Sequence, residues 1–192
     1  MLPGLIKNEK KYLLGINKDN AKIVYKPITG EKEYYDSFEG ILKNIIKRET
    51  TINNKPAIYY DLIMENSGNI YNFSVTYNGS PARSIILSIA SVEDIKGKYI
   101  KISPYLSKNG YLNVSVYING ERSSWVVPKE QIPPVKKVVY GSKEIDDDSD
   151  RIAMVDSYVN LINQRLRKIV DEETGETFDP EEVADDLPEE LG

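Results

Sequence analysis

The chain has no cysteine and no histidine. The first absence removes disulfides and thiolate chemistry. The second removes the commonest metal ligand and the commonest general base at neutral pH. No apolar run approaches the roughly 20 residues that a membrane span needs. The opening MLPGLIKNEKKY holds too short an apolar stretch for a secretory signal. These absences predict an intracellular, cytoplasmic protein with no membrane partner. No Gly-rich phosphate loop, zinc spacing or H-E-x-x-H is present. The acidic run DDDSD puts Asp146, Asp148 and Asp150 at the first, third and fifth places of a calcium loop, but Arg151 stands sixth and Ser157 twelfth. Such a loop lacks its turn glycine and its bidentate glutamate, so no metal is expected. Nothing pins a pair of carboxylates in a cleft, and the sequence predicts a protein that is not an enzyme and needs no cofactor.

What is present is tyrosine and a lopsided charge. Only three phenylalanines and one tryptophan accompany 14 tyrosines in 192 residues. The net charge of −5 hides a split. Residues 1–140 carry 20 basic and 13 acidic side chains, and residues 141–192 carry 5 and 17. A basic body with an acidic end is a pattern associated with nucleic-acid partners. A tail that only solvates the protein is the plainer alternative.

Five regions follow from the patterning. Residues 1–36 read as an N-terminal arm or accessory strands, from KYLLGI and AKIVYK around the turn NKDN. Residues 37–128 carry the stronger strand signals. FEGILKNIIKRET is a long strand in which Gly40 invites a bend or bulge. AIYYDLIM places Ile58, Tyr60, Leu62 and Met64 on one face, and IYNFSVTY does the same for Tyr71, Phe73, Val75 and Tyr77. Ser80, with Pro81 behind it, opens a helix whose apolar side is Ile85, Ile86, Ile89 and Val92 and which ends near Gly97. KYIKISPY, YLNVSVYI and RSSWVVP complete the strands. Residues 129–148 read as a linker with a charge reversal. Residues 149–170 form an amphipathic helix capped by Ser149 or Asp150, with Ile152, Val155, Val159, Ile162, Leu166 and Ile169 as its stripe. It docks on the strands or, as the alternative, pairs in a homodimer. Residues 171–192 have the composition of an acidic disordered tail.

Three strands, a helix, then further strands is the order of a five-stranded Greek-key barrel of the OB type, with its helix between strands 3 and 4. In that order, in SPARSIILSIASVEDIKGKYIKISPY and in its acidic end, the stretch from about Phe38 to Pro128 resembles the OB-fold single-stranded DNA-binding proteins that bacteriophages encode. The resemblance implies a mainly β protein that coats single-stranded DNA and serves replication or recombination. It also implies that the tail recruits other proteins, here through Asp185, Asp186, Leu187, Glu189, Glu190 and Leu191. The tail ends LPEELG, without the terminal aromatic residue of the familiar bacterial version.

Single-strand binding needs exposed aromatic faces for the bases and cations along the backbone path. Strand alternation nominates Tyr59, Tyr99, Tyr105, Tyr111 and Tyr117 as outward rings, with Trp125 if the last strand extends that surface. Lys43, Lys47 and Arg48 on the first strand, Lys101 on a later one, and Lys55, Lys108 and Arg122 on the hairpins supply the cations. Tyr71, Phe73 and Tyr77 share the predicted core face and are left out. A lone outward tyrosine is also an ordinary cross-strand packing partner. The rival to DNA binding is an OB-like protein-interaction or virion component, because small barrels host many functions.

Overall fold

The computed structural model describes residues 11–27, 30–52, 54–141, 143–167, 169–170 and 177–178. It is mainly β, with one large mixed sheet and a C-terminal helix. The strands are β1 Lys11–Asn17, β2 Lys22–Lys26, β3 Glu33–Tyr35, β4 Phe38–Ile52, β5 Lys55–Asn66 and β6 Asn69–Thr76. Helix α1, Ser80–Ala90, precedes β7 Tyr99–Leu106, β8 Leu112–Ile118 and β9 Glu121–Arg122. The hairpin β10 Lys136–Tyr140 and β11 Lys143–Asp147 leads into α2, Ser149–Arg167. A short ladder of Ile169–Val170 with Thr177–Phe178 follows.

The sheet order is β3-β2-β1-β6-β5-β4-β7-β8-β9, antiparallel except between β1 and β6. This corrects the expectation of five strands, since the sheet has nine. Of the arm or accessory strands expected over residues 1–36, the described residues form β1, β2 and β3 of this sheet. An unpaired strand edge exposes a row of N–H and C=O groups that seek partners. β5 fills one edge of β6, and β1 takes the other in parallel, with Leu14 opposite Phe73. The edge on which a barrel would close is therefore occupied, and β3 and β9 end the ladder. The sheet still curls enough to bring β2 close to β7.

The inner face follows the predicted alternation. Tyr60, Leu62 and Met64 of β5 and Phe73 and Val75 of β6 are buried. Ile100, Ile102, Val116 and Ile118 join them from β7 and β8. α1 lies against β8 and buries Ala82, Ile85, Ile86 and Ile89 in the same core. α2 packs on α1 and β4 through Val155, Val159, Ile162 and Leu166, so its stripe docks within the chain.

Local differences from the sequence reading have local causes. The register slips between Leu42 and Asn44, which puts the bulge at Lys43 and not at Gly40. Gly40 answers a different need, because a Cβ there would lie 2.9 Å from the Glu65 carbonyl oxygen. α1 is capped by Gly79 without a side-chain bond, one residue before Ser80. It stops at Ala90, well short of Gly97, because Arg165 of α2 donates to the carbonyls of Ala90 at 2.7 Å and Val92 at 3.1 Å. Asp147, before either predicted cap, accepts the Ser149 N–H at 3.0 Å. RSSWVVP leaves the ladder after Arg122. Instead Ser123 donates its hydroxyl to Ser88 O at 2.7 Å and Val126 its N–H to Leu87 O at 3.0 Å, which lays this stretch along α1. The predicted linker contains the β10–β11 hairpin, turned at Gly141 with φ of 62°.

One side chain replaces a strand. Beyond Ile41, β4 has no ladder partner on its β7 side among the described residues. There Asn163 of α2 accepts the Ile45 N–H at 2.9 Å and donates to the Ile45 carbonyl at 2.8 Å. An amide carries one donor and one acceptor, as a strand residue does. Asn163→Leu keeps the size but strands the Ile45 carbonyl in a partly buried site and leaves its N–H only Asn44 Oδ1, at 2.9 Å. A loss of about 2 kcal/mol is expected in urea unfolding, within the usual cost of unsatisfied polar groups. A loss under ~0.5 kcal/mol would mean that water replaces the amide.

Candidate nucleic-acid interface

Residues directly opposite in an antiparallel ladder share a face. On the face of the sheet opposite the core residues Ile100, Ile102, Val116 and Ile118, Lys101 of β7 faces Tyr117 of β8, and Tyr117 faces Arg122 of β9. Ser103 faces Ser115, and Tyr105 faces Asn113. Tyr99 lies two residues before Lys101 on the same side, opposite Ile41 of β4. This outer face of β7, β8 and β9 thus gathers five nominated side chains in one patch: Tyr99, Lys101, Tyr105, Tyr117 and Arg122. Tyr99 and Tyr105 are 46% and 43% exposed, open enough for a flat ligand to lie on them. Lys101 and Arg122 make no ion pair among the described residues, so their charge is available.

The β7–β8 turn adds two more. Tyr111 is the most exposed large hydrophobic side chain among the described residues, at 72%, and Lys108 sits at the tip. The turn holds its shape through Ser107, whose N–H reaches Tyr111 O at 2.9 Å and whose carbonyl accepts the Gly110 N–H at 2.9 Å. Gly110 has φ of 76°, which favours glycine there.

Tyr105, Arg122 and Trp125 meet around a groove of about 430 Å³ between the patch and α1. Ser84 and Ser88 of α1 and Asn113 of β8 line its other side. Trp125 is there because residues 123–126 follow α1 and leave the sheet. Two rings, a guanidinium and several neutral hydrogen-bonding groups suit a ligand that is flat, polar at its rim and anionic at one end.

The first-strand cations are placed differently. The bulge at Lys43 shifts the alternation, so Lys47 faces inward opposite Tyr60 while Arg48 faces outward opposite Tyr59. Lys47 lies 2.8 Å from Asp156 of α2 and 4.3 Å from the centre of the Tyr77 ring. The hydrogen bond to Asp156 holds its ammonium above the usual lysine range. The Tyr60 hydroxyl donates to the same carboxylate, and burial pushes that phenol up. Lys43 is paired with Glu65 at 2.7 Å. Lys55 begins β5, exposed and without an ion pair among the described residues.

Arg48 grips Asp61 with two nitrogens, and its guanidinium carbon sits 5.2 Å from the Tyr59 ring centre. Asp61 also accepts from the Ser74 hydroxyl at 2.6 Å and from the Asn72 amide at 3.3 Å. Burial works to raise its pKa, but the Arg48, Ser74 and Asn72 hydrogen bonds outweigh it and hold the carboxyl below the usual range. Tyr59 and Arg48 line a second cavity of about 490 Å³, together with Lys18 and Thr50. Tyr59 is half-buried under its cross-strand neighbour, a packing partner first.

The nominated tail residues Asp185, Asp186, Leu187, Glu189, Glu190 and Leu191 lie outside the described residues. Sequence reasoning set Asp61 aside with Glu65 as carboxylates that nothing pins in a cleft, and passed over Asp156, Asn163 and the tyrosines of the first three strands. For the tyrosines, their density before Ser37 was the one usable signal. Among the described residues, no helix is long and apolar enough to cross a membrane. No family model matches the chain, and no curated protein or solved structure matches it significantly.

Proposed function

We propose that this chain binds single-stranded DNA across the outer face of β7, β8 and β9. The observation that carries the proposal is the cross-strand row Lys101–Tyr117–Arg122, flanked by the exposed rings of Tyr99, Tyr105 and Tyr111. Rings beside unpaired cations are what stacked bases and their phosphates require. The connectivity supports the reading. β4 lies between β5 and β7, and α1 joins β6 to β7, which are the relations of strands 1 to 4 and the helix in an OB unit. On this proposal the three N-terminal strands extend an OB-like core. The site is narrower than the sequence suggested: Lys43, Lys47 and Arg48 already hold carboxylates and serve the fold first. On this proposal the acidic residues 171–192 screen the cationic patch at low salt and recruit replication or recombination proteins.

Fluorescence anisotropy with labelled oligothymidylate tests this. Binding should be tighter than to duplex of equal length. It should weaken with salt at a slope of about −0.7 per phosphate contacted. A chain ending at residue 170 should bind more tightly at low salt. Equal affinity for duplex, or no binding at 50 mM salt, would overturn the proposal.

A further inference from the structure

At the other end of the sheet, β1, β2 and the start of β4 enclose a cavity of about 390 Å³. Five rings line it: Tyr12, Tyr25, Tyr35, Phe38 and Tyr71. They brace one another. Tyr12 stacks on Tyr71 with centroids 5.0 Å apart, Phe38 tilts against Tyr71 at 4.9 Å, and Tyr25 tilts against Tyr12 at 5.9 Å. Glu39 is at its rim. The Asn66 amide donates to the backbone carbonyl of Glu39, and the Glu39 carboxylate has no partner among the described residues. Lys101 is its neighbour across the β4–β7 ladder but makes no ion pair with it. A second carboxylate, Glu33, accepts the Tyr35 hydroxyl. No described lysine or arginine lines the cavity.

Ring faces are negative, and a carboxylate beside them adds to that potential. Such a cage repels phosphate and attracts a cation whose charge is wrapped in carbon. We infer that this cavity is a binding site for an organic cation, an alkylated ammonium or guanidinium group, held by its rings and bordering the proposed DNA face where Glu39 stands opposite Lys101. Its volume lies in the lower part of the range for small-ligand pockets, which fits one such head group and its stem. A free small cation and a basic side chain of a partner protein share this chemistry.

Titration of the full chain with tetramethylammonium, with N-acetylarginine amide and with thymidine monophosphate, followed by NMR shifts, decides it. The two cations should saturate and shift the cavity residues, and the nucleotide should not. Preference for the arginine derivative marks a protein side chain as the source, and preference for tetramethylammonium marks a small molecule; either supports the site. Glu39→Gln should weaken cation binding about fivefold, the order of one exposed ion pair. Tyr35→Ala, on the exposed strand β3, should do the same while leaving oligothymidylate affinity unchanged. Thymidine monophosphate binding in the cavity, or cation affinity unaltered in both variants, would overturn the inference. Loss of DNA binding in otherwise intact protein bears on the other face alone.

Discussion

Replacing Arg48 with methionine should destabilise the protein by about 3 kcal/mol at pH 7 and reverse the sign of its pH dependence in mild acid. The side chains of the pair are unequally buried, 42% exposed for Arg48 and 4% for Asp61. Removing the arginine therefore leaves a carboxylate that water cannot reach. Removing one partner of a buried charge pair costs roughly 3–5 kcal/mol, and the exposure of Arg48 points to the lower end. In the parent protein the folded pKa of Asp61 is depressed. Its contribution is present above the unfolded value near ~4 and is lost as pH falls through the folded value. Without Arg48, only the Ser74 and Asn72 hydrogen bonds oppose burial, and the folded pKa is expected to rise above the unfolded one. The variant then gains stability relative to the parent as pH drops from about 6 toward 4, because protonation relieves the buried charge. Asp61→Asn leaves a hydrated arginine and should cost about 1–2 kcal/mol with a flat profile. Urea unfolding from pH 3.5 to 7.5 reads all of this. Equal losses for Arg48→Met and Asp61→Asn, each flat with pH, would show that the pair contributes only packing.

The second large effect concerns DNA. Tyr105→Ala with Trp125→Ala should weaken oligothymidylate binding at least about 30-fold, taking ~1 kcal/mol for each ring at the low end of base stacking. Because both rings line one groove, the double variant is expected to depart from the sum of the singles. Arg122→Ala behaves differently. It should lower affinity modestly and make the salt slope shallower by nearly one phosphate. The double variant, lacking no charge, should keep the parent slope. Unfolding curves of all variants guard against global damage, since Trp125 also packs near α1. If the double variant binds as the parent does, the groove is not where bases lie.

These two sites differ in how far the sequence alone reveals them. On β5 through β8 the alternation is regular, and it sorted Leu62 and Met64 from Tyr59, and Ile100 and Ile102 from Tyr99 and Lys101. The stripe of α2 was equally legible, since Val155, Val159, Ile162 and Leu166 recur at spacings of three and four. On β4 the same logic failed. One extra residue at Lys43 inverts every later side chain, sending Lys47 to the core side and Arg48 out. Nothing in FEGILKNIIKRET marks where the slip falls. Partnership was hidden for another reason. Lys47 and its carboxylate are 109 residues apart, and Asn163 lies 118 residues from the backbone it completes. Local pattern gives the direction of a side chain; it does not give what waits there. The first three strands were underread because their place depends on an edge of β6, which no property of KYLLGI announces.

That Asn163 finishes β4, while β1 leans on β6, has a consequence for how the chain matures. Both joins link parts far apart in order of synthesis, and neither can form until the later partner has left the ribosome. Pairings across such separations are entropically slow to close. The Ile45 carbonyl stays unpaired by any side chain until Asn163 of α2 arrives. Docking of α2 is therefore expected to be the late, rate-setting step of assembly.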